Sequence, residues 1–125
     1  MGYGQLPIAR EYGPQGDVRL SLQFGDLNGT QQSYRAYRLE WEGLPAADPV
    51  VFAEKGNAYA SWNGATSVKK WDIYEGTTAD NVKYSHTVIN TGFETEASIS
   101  STTRFVKVAA VTPDGKRDSA VVAVL

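Results

Sequence analysis

NAYASWNGATSVKKWDIYEG, residues Asn57–Gly76, decides the fold. It reads as two antiparallel strands joined by the Gly/Ala/Thr/Ser connection of residues 64–67. Side chains alternate faces along a strand, so Ala58, Ala60 and Trp62 share one face of the first, and Trp71 and Ile73 share one face of the second. Two indoles on facing strands, each able to cover roughly 150–250 Å², are what the centre of a small β-sandwich needs. Two more strand-like runs follow, Arg104–Thr112 and Ala120–Leu125, divided by the turn Pro113-Asp114-Gly115.

Around this centre the bulk properties agree. A chain of 125 residues holds one domain, or one domain with an appendage. It is 42% hydrophobic and 11% aromatic, which is globular composition. Its 12 glycines and 5 prolines punctuate short β-branched and aromatic runs, and no window sustains a 3.6-residue apolar period, so the spacing predicts an all-β chain with almost no helix. The net charge of −2, without any run of more than two like charges, lacks the footprint of a nucleic-acid or anionic-membrane binder. There is no cysteine, hence no disulfide framework and no thiolate metal site. The start, MGYGQLPIAREYG, has no apolar core of a signal peptide, which points to a cytoplasmic or leaderless-secreted protein. The sequon Asn28-Gly29-Thr30 is a three-residue pattern that chance supplies often.

Upstream, residues 1–44 read as a three-stranded antiparallel meander: Leu6–Tyr12, Val18–Phe24 and Ser33–Glu42. Val18, Leu20, Leu22 and Phe24 share one face of its second strand, and Tyr37, Leu39 and Trp41 one face of its third, so one side is apolar and the other largely polar. The linker Gly43–Pro49, with two prolines, ends the pattern, and all six lysines lie at or beyond Lys55. Residues 45–125 then read as seven short strands: Val50–Ala53, Asn57–Trp62, Val68–Glu75, Lys83–Asn90, Glu94–Ser100, Arg104–Thr112 and Asp118–Leu125. Their spacing of about ten residues is the pattern of an immunoglobulin-like sandwich.

Several blocks carry a family resemblance: YASWNGAT (Tyr59–Thr66), KKWDIYEG (Lys69–Gly76), GFET (Gly92–Thr95) and FVKVAAVTPDG (Phe105–Gly115). Through them the chain resembles the C-terminal domain of fungal arylsulfotransferase-family proteins, which implies a fibronectin type III-like sandwich. MGYGQLP, the QFG of Gln23–Gly25 and QSYRAYRLEWEG (Gln32–Gly43) resemble the end of that family's β-propeller. The family's sulfuryl transfer uses a histidine in the funnel of a complete propeller, whereas the resemblance gives this chain at most about one blade. Its only histidine, His86, falls in the sandwich, so no catalytic position carries over. The resemblance implies shared fold or ancestry and argues against the activity.

The chemistry read directly agrees. His86 has no second histidine or cysteine with which to hold a metal. Glu40 and Glu42 lie about 7 Å apart if they share a strand face, near a glycosidase spacing, but such acid pairs are common on solvated strands. No Gly-x-Ser-x-Gly elbow occurs, Gly2-Tyr3-Gly4 is too short to cradle a phosphate, and Asp72, Glu75 and Asp80 lack calcium-loop spacing. The expectation is a non-enzymatic protein without metal or cofactor.

What remains is binding. An isolated meander with one apolar face is marginal in water, so Leu20, Leu22, Phe24, Tyr37, Leu39 and Trp41 need a cover. Leaving six such side chains exposed forgoes on the order of 10 kcal/mol. The cover is either the chain's own sandwich or a second copy, and a two-fold homodimer hides the same patch twice. Two kinds of ligand then compete. A lectin-like module would bind glycans through Trp62 or Tyr74 as a stacking platform, with Asn63, Asp72 and Glu75 meeting hydroxyls. Its plan, a cysteine-free sandwich behind a dimerising segment, resembles that of small fungal immunomodulatory proteins in architecture only. With Trp71 and Ile73 inward, Lys70, Asp72 and Tyr74 face outward; with Val106, Val108 and Ala110 inward, Phe105, Lys107 and Ala109 face outward. A protein-interaction or structural module would instead use outward-facing Tyr74 and Phe105, and the resemblance leaves a third alternative, an inactive fragment of an arylsulfotransferase-family protein.

Overall fold

The computed structural model describes residues 1–125, all β and without a helix. No helix is therefore long and apolar enough to cross a membrane. The chain divides into two units, Met1–Glu40 and Trp41–Leu125.

The second unit carries two sheets. The first comprises β3 (Val50–Glu54), β4 (Asn57–Ser61) and β7 (Glu94–Ser98), in the order β3-β4-β7. The second comprises β5 (Lys70–Gly76), β6 (Lys83–Ile89), β8 (Phe105–Thr112), β9 (Gly115–Asp118) and β10 (Val122–Ala123), in the order β10-β8-β5-β6, with β9 pairing further along β8. Every pairing is antiparallel. The two strands of the opening stretch thus belong to different sheets. The turn Trp62–Ala65 hands the chain across, with Ala65 N–H donating to the Trp62 carbonyl at 3.1 Å. Gly64 holds φ at +88°, where a side chain would be strained.

The core lies where the sheets share their inner faces. The first sheet contributes Val51, Ala53, Ala58, Ala60 and Ala97, and the second contributes Trp71, Ile73, Val106, Val108 and Ala110. Small side chains on one sheet leave room for the large ones on the other, as close packing requires. Both buried indoles have partners for their N–H groups. Trp62 Nε1 donates to the Ala47 carbonyl at 2.7 Å, and Trp71 Nε1 to Asn90 Oδ1 at 3.0 Å.

The expected last strand, Asp118–Leu125, is interrupted. Only its first residue, Asp118, belongs to β9, opposite Ala109, and its β10 part pairs with Phe105–Val106. Between them Ser119 supplies its hydroxyl to Val108 N–H at 3.0 Å in place of a ladder carbonyl. Beyond β10, Leu125 N–H donates to the Ala53 carbonyl at 2.9 Å and its carbonyl accepts from Lys55 N–H at 3.4 Å. Bonding to the residues on either side of Glu54 is a parallel pattern.

The first unit differs from the meander expected for residues 1–44. Only β1 (Ile8–Tyr12) and β2 (Val18–Gln23) form, as an antiparallel ribbon. The expected third strand, Ser33–Glu42, is irregular. Its first part instead runs beside the chain start and β1: Ser33 N–H donates to the Gly4 carbonyl at 2.9 Å, and Arg38 pairs with Glu11. Residues with the right alternation make a strand only when a ladder partner accepts their backbone groups. The six apolar side chains expected under a cover, Leu20, Leu22, Phe24, Tyr37, Leu39 and Trp41, are all exposed, from 45% at Phe24 to 75% at Tyr37.

Because Ile73 is fully enclosed between the sheets, Ile73→Ala is expected to lower stability by about 2–5 kcal/mol. Urea unfolding of parent and variant measures this; a loss below about 1 kcal/mol contradicts the shared core.

Candidate functional site

The outer face of the second sheet carries a connected cluster of polar and aromatic side chains. Antiparallel pairing places directly opposed residues on one face, so the register lines up Thr87, Asp72, Ala109 and Asp118 in one row. Tyr84, Tyr74 and Lys107 form the next row. A third row, Ile89, Lys70, Val111 and Lys116, lies on the other side.

Across these rows the contacts are continuous. Lys116 Nζ lies 2.5 Å from Asp72 Oδ2, and Thr87 Oγ1 donates to Asp72 Oδ1 at 2.5 Å. The Tyr84 hydroxyl is 3.0 Å from Thr87 Oγ1. Lys107 Nζ sits 4.4 Å above the Tyr74 ring and 2.7 Å from Asp118 Oδ2. Tyr84 meets Tyr74 edge-on with ring centres 5.9 Å apart. A lysine held against both an aromatic face and a carboxylate combines cation–π and ionic attraction.

Asp72 and Ala109, both expected to face outward, do lie on this face but are buried. The cause is long-range. The hairpin Thr112–Gly115 brings β9 alongside β8, and Lys116 reaches back over Asp72. Burial by itself pushes the Asp72 carboxyl up. Hydrogen bonds from Lys116 and Thr87, with the charges of Lys116 and Lys70, outweigh that and hold it below its ordinary value of 3.8.

The other expected ligand-binding residues lie elsewhere. Glu75 sits at the end of β5, where it accepts from Ser100 N–H at 2.8 Å and from the Thr103 hydroxyl. Burial pushes this carboxyl up as well, but Thr103, Ser85 and Ser100 donate to it and His86 lies near, so it too is held below the ordinary value of 4.5. The carboxylate borders a cleft of about 310 Å³ lined by Gly76, Lys83, Ser85 and Thr102. His86 Nδ1 is 3.1 Å from Ser85 Oγ and 3.9 Å from Glu75 Oε1. A charge-relay histidine needs its nucleophile on one ring nitrogen and its carboxylate on the other. Here both neighbours address Nδ1, so the trio has the geometry of a fold contact.

Trp62 is only 7% exposed and belongs to the core, so its ring offers no open stacking platform. Its edge borders a second cleft of about 340 Å³ with Leu44, Pro45, Asp114, Lys116 and Arg117. Asn63 is exposed at the apex of the adjoining turn. The five residues Trp62, Asn63, Asp72, Tyr74 and Glu75 therefore fall in three places, and only Asp72 and Tyr74 share the aromatic face. Glu40 and Glu42 are exposed on irregular backbone, which removes the strand spacing that paired them. No three His, Asp or Glu side chains converge as a metal site would require.

Sequence reasoning missed Tyr84, Thr87, Lys116 and Asp118 as members of the face. Lys107, alternating with Val106 and Val108, signalled an outward position. Its neighbours depend on the strand order β6-β5-β8-β9, which local pattern does not contain.

A carboxyl whose folded value lies below its unfolded one stabilises the fold above the unfolded value and loses that contribution as pH falls through the folded value. Asp72 and Glu75 therefore support the fold at neutral pH, and that support declines progressively as pH falls below about 4. Asp72→Asn is expected to cost about 1–3 kcal/mol at pH 7. It should also lose less stability than the parent between pH 6 and pH 3, measured by chemical denaturation; equal losses contradict the assignment.

No family model, no curated protein and no solved structure matches the chain.

Proposed function

We propose that the chain is a non-catalytic binding module acting as a homodimer, with the N-terminal ribbon as the element of self-association. The observation that carries this is the exposure of Leu20, Leu22, Phe24, Tyr37, Leu39 and Trp41. Five of them, with Val18 and Tyr12, lie exposed within a 40-residue unit whose only regular structure is two strands. A lone ribbon is marginal in water, and apolar patches of this kind are the usual mark of an interaction surface. An isologous pairing uses one patch twice.

The sandwich is the ligand-presenting body. Its strand order, β3-β4-β7 opposite β10-β8-β5-β6, supports a fibronectin type III-like reading, as does the resemblance to the C-terminal part of arylsulfotransferase-family proteins. Ancestry there carries no catalytic residue to this chain.

For the ligand we favour a glycan. Tyr84 is exposed beside Tyr74, and Lys107, Lys116, Thr87 and Asp118 surround the rings with hydrogen-bonding groups. An aromatic edge bordered by such groups suits a sugar ring, and two copies in one dimer would make binding bivalent. A second reading, a protein-interaction module, draws on the first sheet, where Phe52 stacks on Tyr59 with centres 6.3 Å apart and Val50 is exposed beside them.

Light scattering at micromolar concentration tests the assembly, with twice the chain mass of 13.6 kDa expected. The monomer mass would overturn the dimer. A glycan array tests the ligand: binding lost in Tyr84→Ala with unchanged thermal stability supports it, and a flat array removes the lectin-like reading.

A further inference from the structure

The ribbon has two outer edges, and they differ. The free edge of β1 is already occupied: Gly2 bridges to Ala9, Arg10 N–H donates to the Met1 carbonyl at 2.9 Å, and the Met1 amino group donates to the Arg10 carbonyl at 2.6 Å. The free edge of β2 has no such cover, and all six of its residues are exposed.

The direction of the β2 backbone groups follows from the ladder. Phe24 N–H donates to the Pro7 carbonyl at 3.0 Å. In an antiparallel pair, residues turn their N–H and C=O toward the partner strand at every second position. Leu22, opposite Ala9, and Leu20, opposite Glu11, therefore face β1. Ser21 and Gln23 turn their N–H and C=O outward. So does Arg19, at the bulge where Glu11 meets Leu20 and Tyr12 meets Val18. Along this edge there is no proline and no lysine, the residues that commonly blunt an exposed strand.

We propose that β2 is a strand-pairing edge whose occupant is β2 of a second copy, running antiparallel about a two-fold axis at Ser21. The proposal rests on the homodimer reading and names its contact. Ser21 would pair with Ser21 of the other copy, and Arg19 with Gln23. This register uses every outward backbone group and keeps each paired residue within Arg19–Gln23. A shift by one residue would set Leu20 and Leu22 against polar neighbours on the other face. Centring on Leu22 would bring Gly25 opposite Arg19, outside the strand. Centring on Leu20 would bring Asp17 opposite Gln23, beyond the bulge. In the Ser21-centred arrangement Leu20 lies opposite Leu22 of its partner, joining the two apolar faces, while the two Arg19 side chains stand about 14 Å apart along the strands.

The absence of cysteine from the chain gives a clean test. Opposed residues in the hydrogen-bonded position lie about 5.5 Å apart between Cα atoms, within the range a disulfide spans. The full-length variant Ser21→Cys, mildly oxidised at micromolar concentration, is expected to run almost wholly as a linked dimer on a non-reducing gel. Arg19→Cys and the exposed control Ser98→Cys should remain at least tenfold less linked. A mixture of Arg19→Cys and Gln23→Cys should link as a heterodimer. If light scattering gives a dimer but Ser21→Cys links no faster than Ser98→Cys, the edge pairing is wrong and the dimer stands on another contact. Preferential linking of Leu22→Cys or Leu20→Cys overturns the register and the proposal with it. A monomer mass removes both this pairing and the dimer beneath it.

Discussion

The carboxamide oxygen of Asn90 accepts the indole N–H of Trp71 and the hydroxyl of Thr95, each at 3.0 Å. Trp71 belongs to β5 in one sheet and Thr95 to β7 in the other, and Asn90 lies in the connection that carries the chain between them. Thr91 N–H adds a bond to the same Thr95 hydroxyl at 3.0 Å. At the far end of β5, Glu75 makes the corresponding link, reaching Ser100 and Thr103 just beyond β7. β5 is therefore tied at both ends to segments flanking the opposite sheet. The Asn90 bonds and the Thr103–Glu75 bond are part-buried, where a missing partner costs more than the bond returns. Dispersion and apolar burial hold the sheets together, and these bonds fix how they are aligned.

That alignment orders the outer surface as well. With β5 placed, β6 and β8 take their positions on either side, and the hairpin after β8 folds β9 back so that Lys116 meets Asp72. Each buried side-chain nitrogen or oxygen in the molecule has a partner. The aromatic face is internally paired, Lys116 and Thr87 with Asp72 and Lys107 with Asp118, so any recognition there would rely on shape and ring exposure more than on unpaired charge.

Much of the sandwich was legible because its strands alternate cleanly. Trp71, Ile73, Val106, Val108 and Ala110 were expected inside and are inside. What escaped was non-local. Asp72 and Ala109 obey the alternation but are covered by a hairpin whose position follows from strand order. The residues of the aromatic face come from four strands, so no window of sequence contains them. In residues 33–42 the pattern misled in the opposite sense. Tyr37, Leu39 and Trp41 have the spacing of a strand face, yet alternation describes what a strand would bury and says nothing of whether a neighbour is there to receive its hydrogen bonds. The ribbon formed where a compact loop, closed by Gly13 N–H on the Asp17 carbonyl at 2.8 Å, brought two segments together. The polar stretch after Phe24 supplied no comparable turn against β2.

The parallel bonding of Leu125 to Ala53 and Lys55 has a mechanical meaning. The strand through which the chain enters the sandwich and the segment through which it leaves run side by side in the same direction. A pull on the two ends would slide them past one another, loading their hydrogen bonds together instead of peeling them apart in turn. Resistance to stretching would then reside in this seam, at the margin of the sandwich and away from its aromatic face.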